Sequence, residues 1–258
     1  MKPLLIVCGI ALFFITYGFL RKTPENEARV PVTPTVTLQP TPVTPPAITF
    51  SGMTYAYGLL PAAGKNISLI PNFEKRLPSE TLLSSHSCTA LINGGFYDTT
   101  YKPLGYFFTD GKEISPSRKS ALFNGYISVS DNGIASISAD PPDSPGIALQ
   151  SGPILMQNTD VMPLKIIHDE HARRMIAAVT AEGAIVFITV YNPESVFEGP
   201  LLGDLPVILR DIAKRESIHI EEALNLDGGS ASAFYTATVK LSELTPVGSV
   251  FCIKSRVQ

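Results

Sequence analysis

The chain has 258 residues, with 20 Lys and Arg against 23 Asp and Glu and a net charge of −3. That balance gives no overall basic footprint, so nucleic acid is excluded as an expected partner. Trp is absent, so a sugar site would have to rest on Tyr and Phe, and the length leaves room for one domain of about 200 residues whose core needs no metal or disulfide.

At the N-terminus, Lys2 precedes an uncharged apolar run over residues 3–20, which Arg21-Lys22 closes. Such a run, about eighteen residues long, just reaches the length of a membrane span and lies at the long end for a signal peptide. Residues 1–22 are therefore expected to be a signal anchor or a signal peptide. In either case the rest of the chain is exported, membrane-anchored outside the cytoplasm or secreted. Residues 23–47 are dense in Pro and Thr (Pro31, Pro34, Pro40, Pro42, Pro45, Pro46) and lack an apolar period. They read as an extended linker. The globular domain is expected over 48–258.

Within it, Ile67-Ser68-Leu69-Ile70-Pro71 reads as a strand ended by proline. Residues 88–92 read as another, running into Asn93-Gly94-Gly95. Strands are expected over 105–109 and 126–130, separated or followed by Asp-Gly and Asn-Gly turn signals. Residues 174–179 and 184–190 form the arms of a hairpin across Ala181-Glu182-Gly183, and the second arm is apolar enough to be buried on both faces. One helix is expected over 204–215, with Asp204 as N-cap, Pro206 in the first turn and Leu205, Ile208, Leu209 and Ile212 as its apolar stripe. The pattern gives an α+β fold, a mixed β-sheet core with few helices in a single globular domain. With Cys8 in the apolar segment, Cys88 and Cys252 remain as a disulfide or as two buried thiols.

The most informative run is Leu224-Asn225-Leu226-Asp227-Gly228-Gly229-Ser230. Leucines alternate with Asn225 and Asp227 at the period of a half-buried strand, and the strand delivers an acid to a glycine turn. Two earlier strands end similarly, at Asn93-Gly94-Gly95-Phe96-Tyr97-Asp98 and at Gln150-Ser151-Gly152-Pro153. Polar groups at strand ends on a rigid scaffold are where function concentrates.

Together with Pro103-Leu104-Gly105, the later Asp110-Gly111-Lys112 and an arginine opening a strand, these motifs resemble the phosphodiester glycosidase family over about residues 91–234. The resemblance implies a hydrolase that cuts between a sugar anomeric carbon and a phosphodiester, of the N-acetylglucosamine-1-phosphodiester type, on envelope or exopolysaccharide material. The alternative is a non-catalytic envelope polysaccharide-binding or assembly protein on the same fold. Asp227 is expected as nucleophile, base or charge stabiliser, with Asn93 binding substrate or orienting it. Arg173 is matched to the family's arginine as the phosphate contact, with Arg174 one residue away as the other option. Gly94, Gly95, Gln150, Ser151, Gly152, Gly228, Gly229 and Ser230 are expected to line the substrate, with Gln150 and Ser151 offering side-chain donors and Gly152 part of an anion-binding nest. Asp98 is a candidate second acid. Ala177 and Ser230 depart from the family pattern, each standing where a glycine is usual. His168-Asp169-Glu170-His171 does not follow metal-ligand spacing and reads as a polar loop. No cofactor or metal is expected, and oligomeric state is not legible.

Overall fold

Three antiparallel sheets enclose the main core, and the continuous apolar runs of the central strands follow from burial on both faces. The computed structural model describes residues 44–255. The signal or anchor segment and most of the linker lie outside the described residues. Ala47, the last residue of the expected linker, already pairs with Ala56, and the Tyr57 amide donates to Pro46 at 2.9 Å. Among the described residues, no helix is long and apolar enough to cross a membrane.

The largest sheet has seven strands in the order Ala47–Phe50, Met53–Ala62, Ile185–Tyr191, Arg174–Thr180, Ile220–Asn225, Ile154–Gln157 and Asp160–Val161. Its central hairpin is the one read from the sequence, with Ala178 opposite Val186. Side chains alternate strictly between two cores. Met175, Ala177 and Val179 face the interior shared with the other sheets, while Ile176 and Ala178 face the helix Leu205–Glu216. In the neighbouring strand, Ile185 and Phe187 take the first side and Val186, Ile188 and Val190 the second. A period of two places every residue of such a strand against apolar neighbours.

The helix Leu205–Glu216 buries Leu205, Ile208, Leu209 and Ile212 against that second core. Each fully buried Leu or Ile contributes about 1.5–3 kcal/mol. Lys214 and Arg215 lie in its last turn, and Ser217 closes it at φ 55°. One detail differs from the sequence reading. Asp204 sits at the N-cap but is itself in a helical conformation and makes no side-chain cap bond. A side chain caps the first turn only when the N-cap backbone leaves the helical region.

A five-stranded sheet runs Lys240–Leu241, Phe234–Tyr235, Ala90–Asn93, Ser249–Ile253 and Ile67–Pro71. Another runs Lys112–Ser115, Phe107–Thr109, Ile147–Ser151, Gly125–Val129 and Ala135–Ser138. Cys88 and Cys252 form a disulfide, which resolves the alternative left open by the sequence. The short helix Ser79–Ser85 closes a small third core around Leu82, Leu91 and Val250. The described residues fall within one compact unit, α+β and dominated by sheet.

Candidate active site

Asp227 stands one residue beyond Leu226, where the strand Ile220–Asn225 leaves the large sheet. Leu224 and Leu226 are fully buried in the main core, so the alternation sends Asn225 and Asp227 to the other side. The strand Ala90–Asn93 of a second sheet ends at the same place. Two bonds join the ends: the Asp227 amide donates to the Gly94 carbonyl at 3.2 Å, and Asn93 Nδ2 donates to the Asp227 carbonyl at 2.8 Å. Asn93 is 1% exposed and its Oδ1 accepts the Ala233 amide at 2.9 Å. It is a positioning residue that fixes the backbone on both sides of the glycine turn.

The turn is glycine for close approach. A Cβ on Gly228 would lie 2.5 Å from the Arg173 carbonyl, and that same carbonyl accepts the Gly229 amide at 2.8 Å. Gly229 itself has φ +61°. On the other strand end, a Cβ on Gly94 would run into Ser249, and one on Gly95 would lie 3.0 Å from the Gln150 carbonyl. Ser230 is exposed, and its carbonyl accepts the Leu244 amide at 2.8 Å.

Asp227 as a residue is half-buried, and its carboxyl is poorly solvated. Burial pushes it up to about 7, against the opposing pull of the Gly228 amide, which donates to Oδ1 at 2.9 Å. A carboxyl held near neutrality exchanges protons at working pH, which is what acid–base catalysis needs. Tyr97 is a neighbour to which the sequence reading gave no role. Burial first, and the Asp227 charge second, raise its phenol, whose hydroxyl donates to the Pro246 carbonyl at 2.7 Å. The aromatic position four residues after Asn93 was the available signal.

Several residues matched by motif serve the protein interior instead, and the structure corrects their expected roles. Gln150 is 4% exposed and both ends of its amide are engaged twice. Oε1 accepts the Tyr106 and Arg118 amides, each at 3.0 Å. Nε2 donates to the Arg118 and Phe123 carbonyls at 2.6 and 2.7 Å. No donor is left for a sugar. Gly105, at φ +113°, has to be glycine because a Cβ would collide with this amide. Ser151 is fully buried and donates to the Asn225 carbonyl at 2.7 Å. Gly152 forms no anion nest: its amide donates to Asn225 and its carbonyl accepts Asn225 Nδ2, both at 3.0 Å.

Arg173 is likewise enclosed, with 0% exposure. Its Nε donates to Ser232 Oγ at 2.8 Å, and Nη2 donates to the Ser232 and Ser242 carbonyls. The guanidinium stacks over Phe197 at 4.8 Å. Burial lowers it to about 10, with Glu243 opposing, so it stays charged at neutral pH. In this geometry Arg173 latches the Gly228–Ser232 turn through Nε and Nη2, while its buried Nη1 has no hydrogen-bond partner among the described residues. Arg174 is no substitute, since it pairs with Asp169 at 3.4 Å and donates to the Pro200 carbonyl. Asp169 accepts the Leu202 and Gly203 amides at 2.9 and 2.7 Å, which makes residues 168–171 a stitched polar loop. Among the described residues no cluster of His, Cys, Asp and Glu is placed to hold a metal. Asp98 is a turn anchor: its Oδ1 accepts the Thr100 amide and hydroxyl and the Lys102 amide at 2.7–3.0 Å.

Strand ends of two antiparallel sheets that meet at one desolvated carboxyl on a glycine turn define a β-rich protein with an acid-centred site. The chain belongs to the phosphodiester glycosidase family, whose model matches residues 86–254. The fold is similar to that of the zebrafish N-acetylglucosamine-1-phosphodiester α-N-acetylglucosaminidase catalytic domain auto-inhibited by its pro-peptide. That match has a TM-score of 0.62 and 17% identity, and covers 82% of this chain and 81% of that one. A hypothetical protein from Synechocystis is similar at TM-score 0.60 and 16% identity, covering 80% of this chain and 61% of that one. No curated protein matches.

Proposed function

We propose that this chain hydrolyses the bond between a sugar anomeric carbon and a phosphodiester, with Asp227 as the reacting acid. The observation that carries this reading is the Asp227 carboxyl, raised to about 7 by burial, on a backbone that Asn93 from another sheet holds through the Asp227 carbonyl. Family membership gives the reaction class. The N-acetylglucosamine form of the substrate is suggested by the name of the zebrafish relative.

Chemically, the phosphodiester is a good leaving group, so bond breaking needs less acid assistance than an ordinary glycoside. The ionised Asp227 then faces the anomeric carbon as nucleophile, or takes a proton from the water that attacks it. A carboxylate short of solvent is a stronger base than one in water. Asn93 and the Gly228–Gly229 turn hold its backbone. Arg173 holds the turn from beneath through Ser232.

The reading extends to location. The domain acts outside the cytoplasm on envelope or exopolysaccharide material, tethered or released through residues 1–22. The disulfide between Cys88 and Cys252 suits an oxidising compartment.

The test is product release by the full chain from an α-N-acetylglucosamine phosphodiester, beside the Asp227→Asn protein. Turnover lost in the variant supports the reading. A folded wild-type protein that binds the compound and releases no product would replace it with a polysaccharide-binding or assembly role.

A further inference from the structure

A cleft of about 990 Å³ lies apart from Asp227, between the segment after the strand Ile67–Pro71, the loop around residues 100–103 and the hairpin around 110–118. Lys75, Arg76, Lys102, Arg118 and Lys254 line it, and all five are exposed. Glu74 and Asp110 are the acids on its wall. This excess of positive charge stands out in a chain whose net charge is −3. Among the described residues, none of the five is within salt-bridge distance of a carboxylate.

Two further observations mark it as a built site. The Arg76 guanidinium sits 3.8 Å from the centroid of the Tyr101 ring, and both residues are in the left-handed region, at φ 49° and 60°. Bulky residues seldom adopt that conformation, and such positions gather at ligand clamps. Tyr101 in turn stacks on Tyr97 at 5.1 Å, and Tyr97 is the residue in the field of Asp227. The aromatic pair carries the cleft wall back to the segment that follows the Asn93-Gly94-Gly95 strand end. Gln150, held back from any sugar, grips Arg118 through both its amide and its carbonyl. Gln150 therefore shapes the wall of the cleft.

We infer that this cleft binds the far side of the substrate, a chain of repeated phosphates carried on polyol or sugar units. The inference rests on the proposed reaction for its phosphodiester and supplies exposed cations, where Arg173 is fully buried and Arg174 is paired with Asp169. Its chemistry fits spaced anions better than one buried phosphate. The five charges come from separate segments of the wall, and Leu77, Pro103 and Ile114 also line it, apolar surface for the carbon faces of the repeat. Guanidinium and ammonium groups contact the phosphates.

The experiment reads binding without turnover. The full chain is titrated with a short synthetic poly(glycerol phosphate) at several salt concentrations, in parallel with the double variant Arg76→Glu, Arg118→Glu. The control pair Arg210→Glu, Lys214→Glu, at exposed positions of the helix Leu205–Glu216, makes the same change of net charge. The expected result is at least a tenfold loss of affinity and a shallower salt dependence in the double variant, with the control binding as wild type does. Equal binding by the double variant, or an equal loss in the control, overturns the inference. So does single-stranded DNA of the same charge that binds as tightly as the polyol phosphate. A wild type that binds the polymer and hydrolyses no sugar phosphodiester would sink the proposed reaction and leave the cleft standing.

Discussion

Two acids close two glycine-bearing motifs of this chain, and their surroundings drive them in opposite directions. Asp98 accepts three hydrogen bonds from Thr100 and Lys102. Those donors, the Lys102 amide first, hold its carboxyl below the usual carboxylate range. Asp227 accepts one, from Gly228, and burial carries it up to about 7. The comparison teaches that the balance of donors against lost solvent decides whether an acid anchors a turn or stays reactive. The sequence around the two, aspartate beside small polar residues, gives little sign of the difference.

The strongest way to break this comparison is to neutralise each acid. Asp227→Asn is expected to cut sugar-phosphodiester turnover by about three orders of magnitude, the scale of a lost acid–base group. Asp98→Asn is expected to stay within about twofold, as for most surface changes. Steady-state kinetics on both proteins decides it, and equal losses would erase the distinction.

The pH dependence of stability sharpens the comparison next. In the folded protein Asp227 keeps its proton up to about 7, whereas the unfolded chain releases it near 4. Between these values the folded state binds more protons, so this group's contribution to stability falls as pH rises, by an amount on the order of a few kcal/mol. Asp227→Asn should remove that slope and be the more stable protein above pH 7. Asp98 has the opposite sign: its contribution is present above the unfolded value and lost as pH falls through its lowered one. Urea titrations across pH, on wild type and each variant, measure both.

A smaller effect tests the backbone clamp. Asn93→Ala leaves the Ala233 amide and the Asp227 carbonyl without their partner, at a cost of about 2–3 kcal/mol. Its kcat should fall more than its KM changes, because the variant misplaces the acid and leaves substrate binding intact. Gln150→Ala frees four backbone partners, but these lie at Tyr106, Phe123 and the exposed Arg118 where water can replace the lost amide, so the expected cost is about 1–2 kcal/mol in stability. Its telling readout is weaker binding of the poly(glycerol phosphate) probe as the Arg118 loop loosens. Unaltered binding would separate Gln150 from the cleft.

Much of the scaffold was legible along the chain. The strand Ile67–Pro71, the Arg174–Thr180 and Ile185–Tyr191 hairpin and the helix ending at Glu216 each announce themselves by local period and punctuation. The alternation of Leu224 and Leu226 with Asn225 and Asp227 is a property of neighbouring residues, so it survives folding unchanged. The resemblance offers Asn93 as a substrate contact or as a residue that orients Asp227, and in the fold it bonds the Asp227 carbonyl across 134 positions.

What only the tertiary structure decided is which polar groups are already satisfied. Gln150 stands in a motif that reads as a ligand contact, yet its partners come from residues 106–123; Arg173 takes its partners from residues 232–242 and keeps a buried Nη1 with none among the described residues. The basic cleft joins Lys75, Arg118 and Lys254, a cluster that no local charge pattern contains. The carboxyl of Asp227 owes its raised pKa to the walls that desolvate it. Period and turn chemistry act between near neighbours and can be read from sequence. Desolvation and hydrogen-bond satisfaction depend on distant segments brought together, so they exist only once the chain has folded.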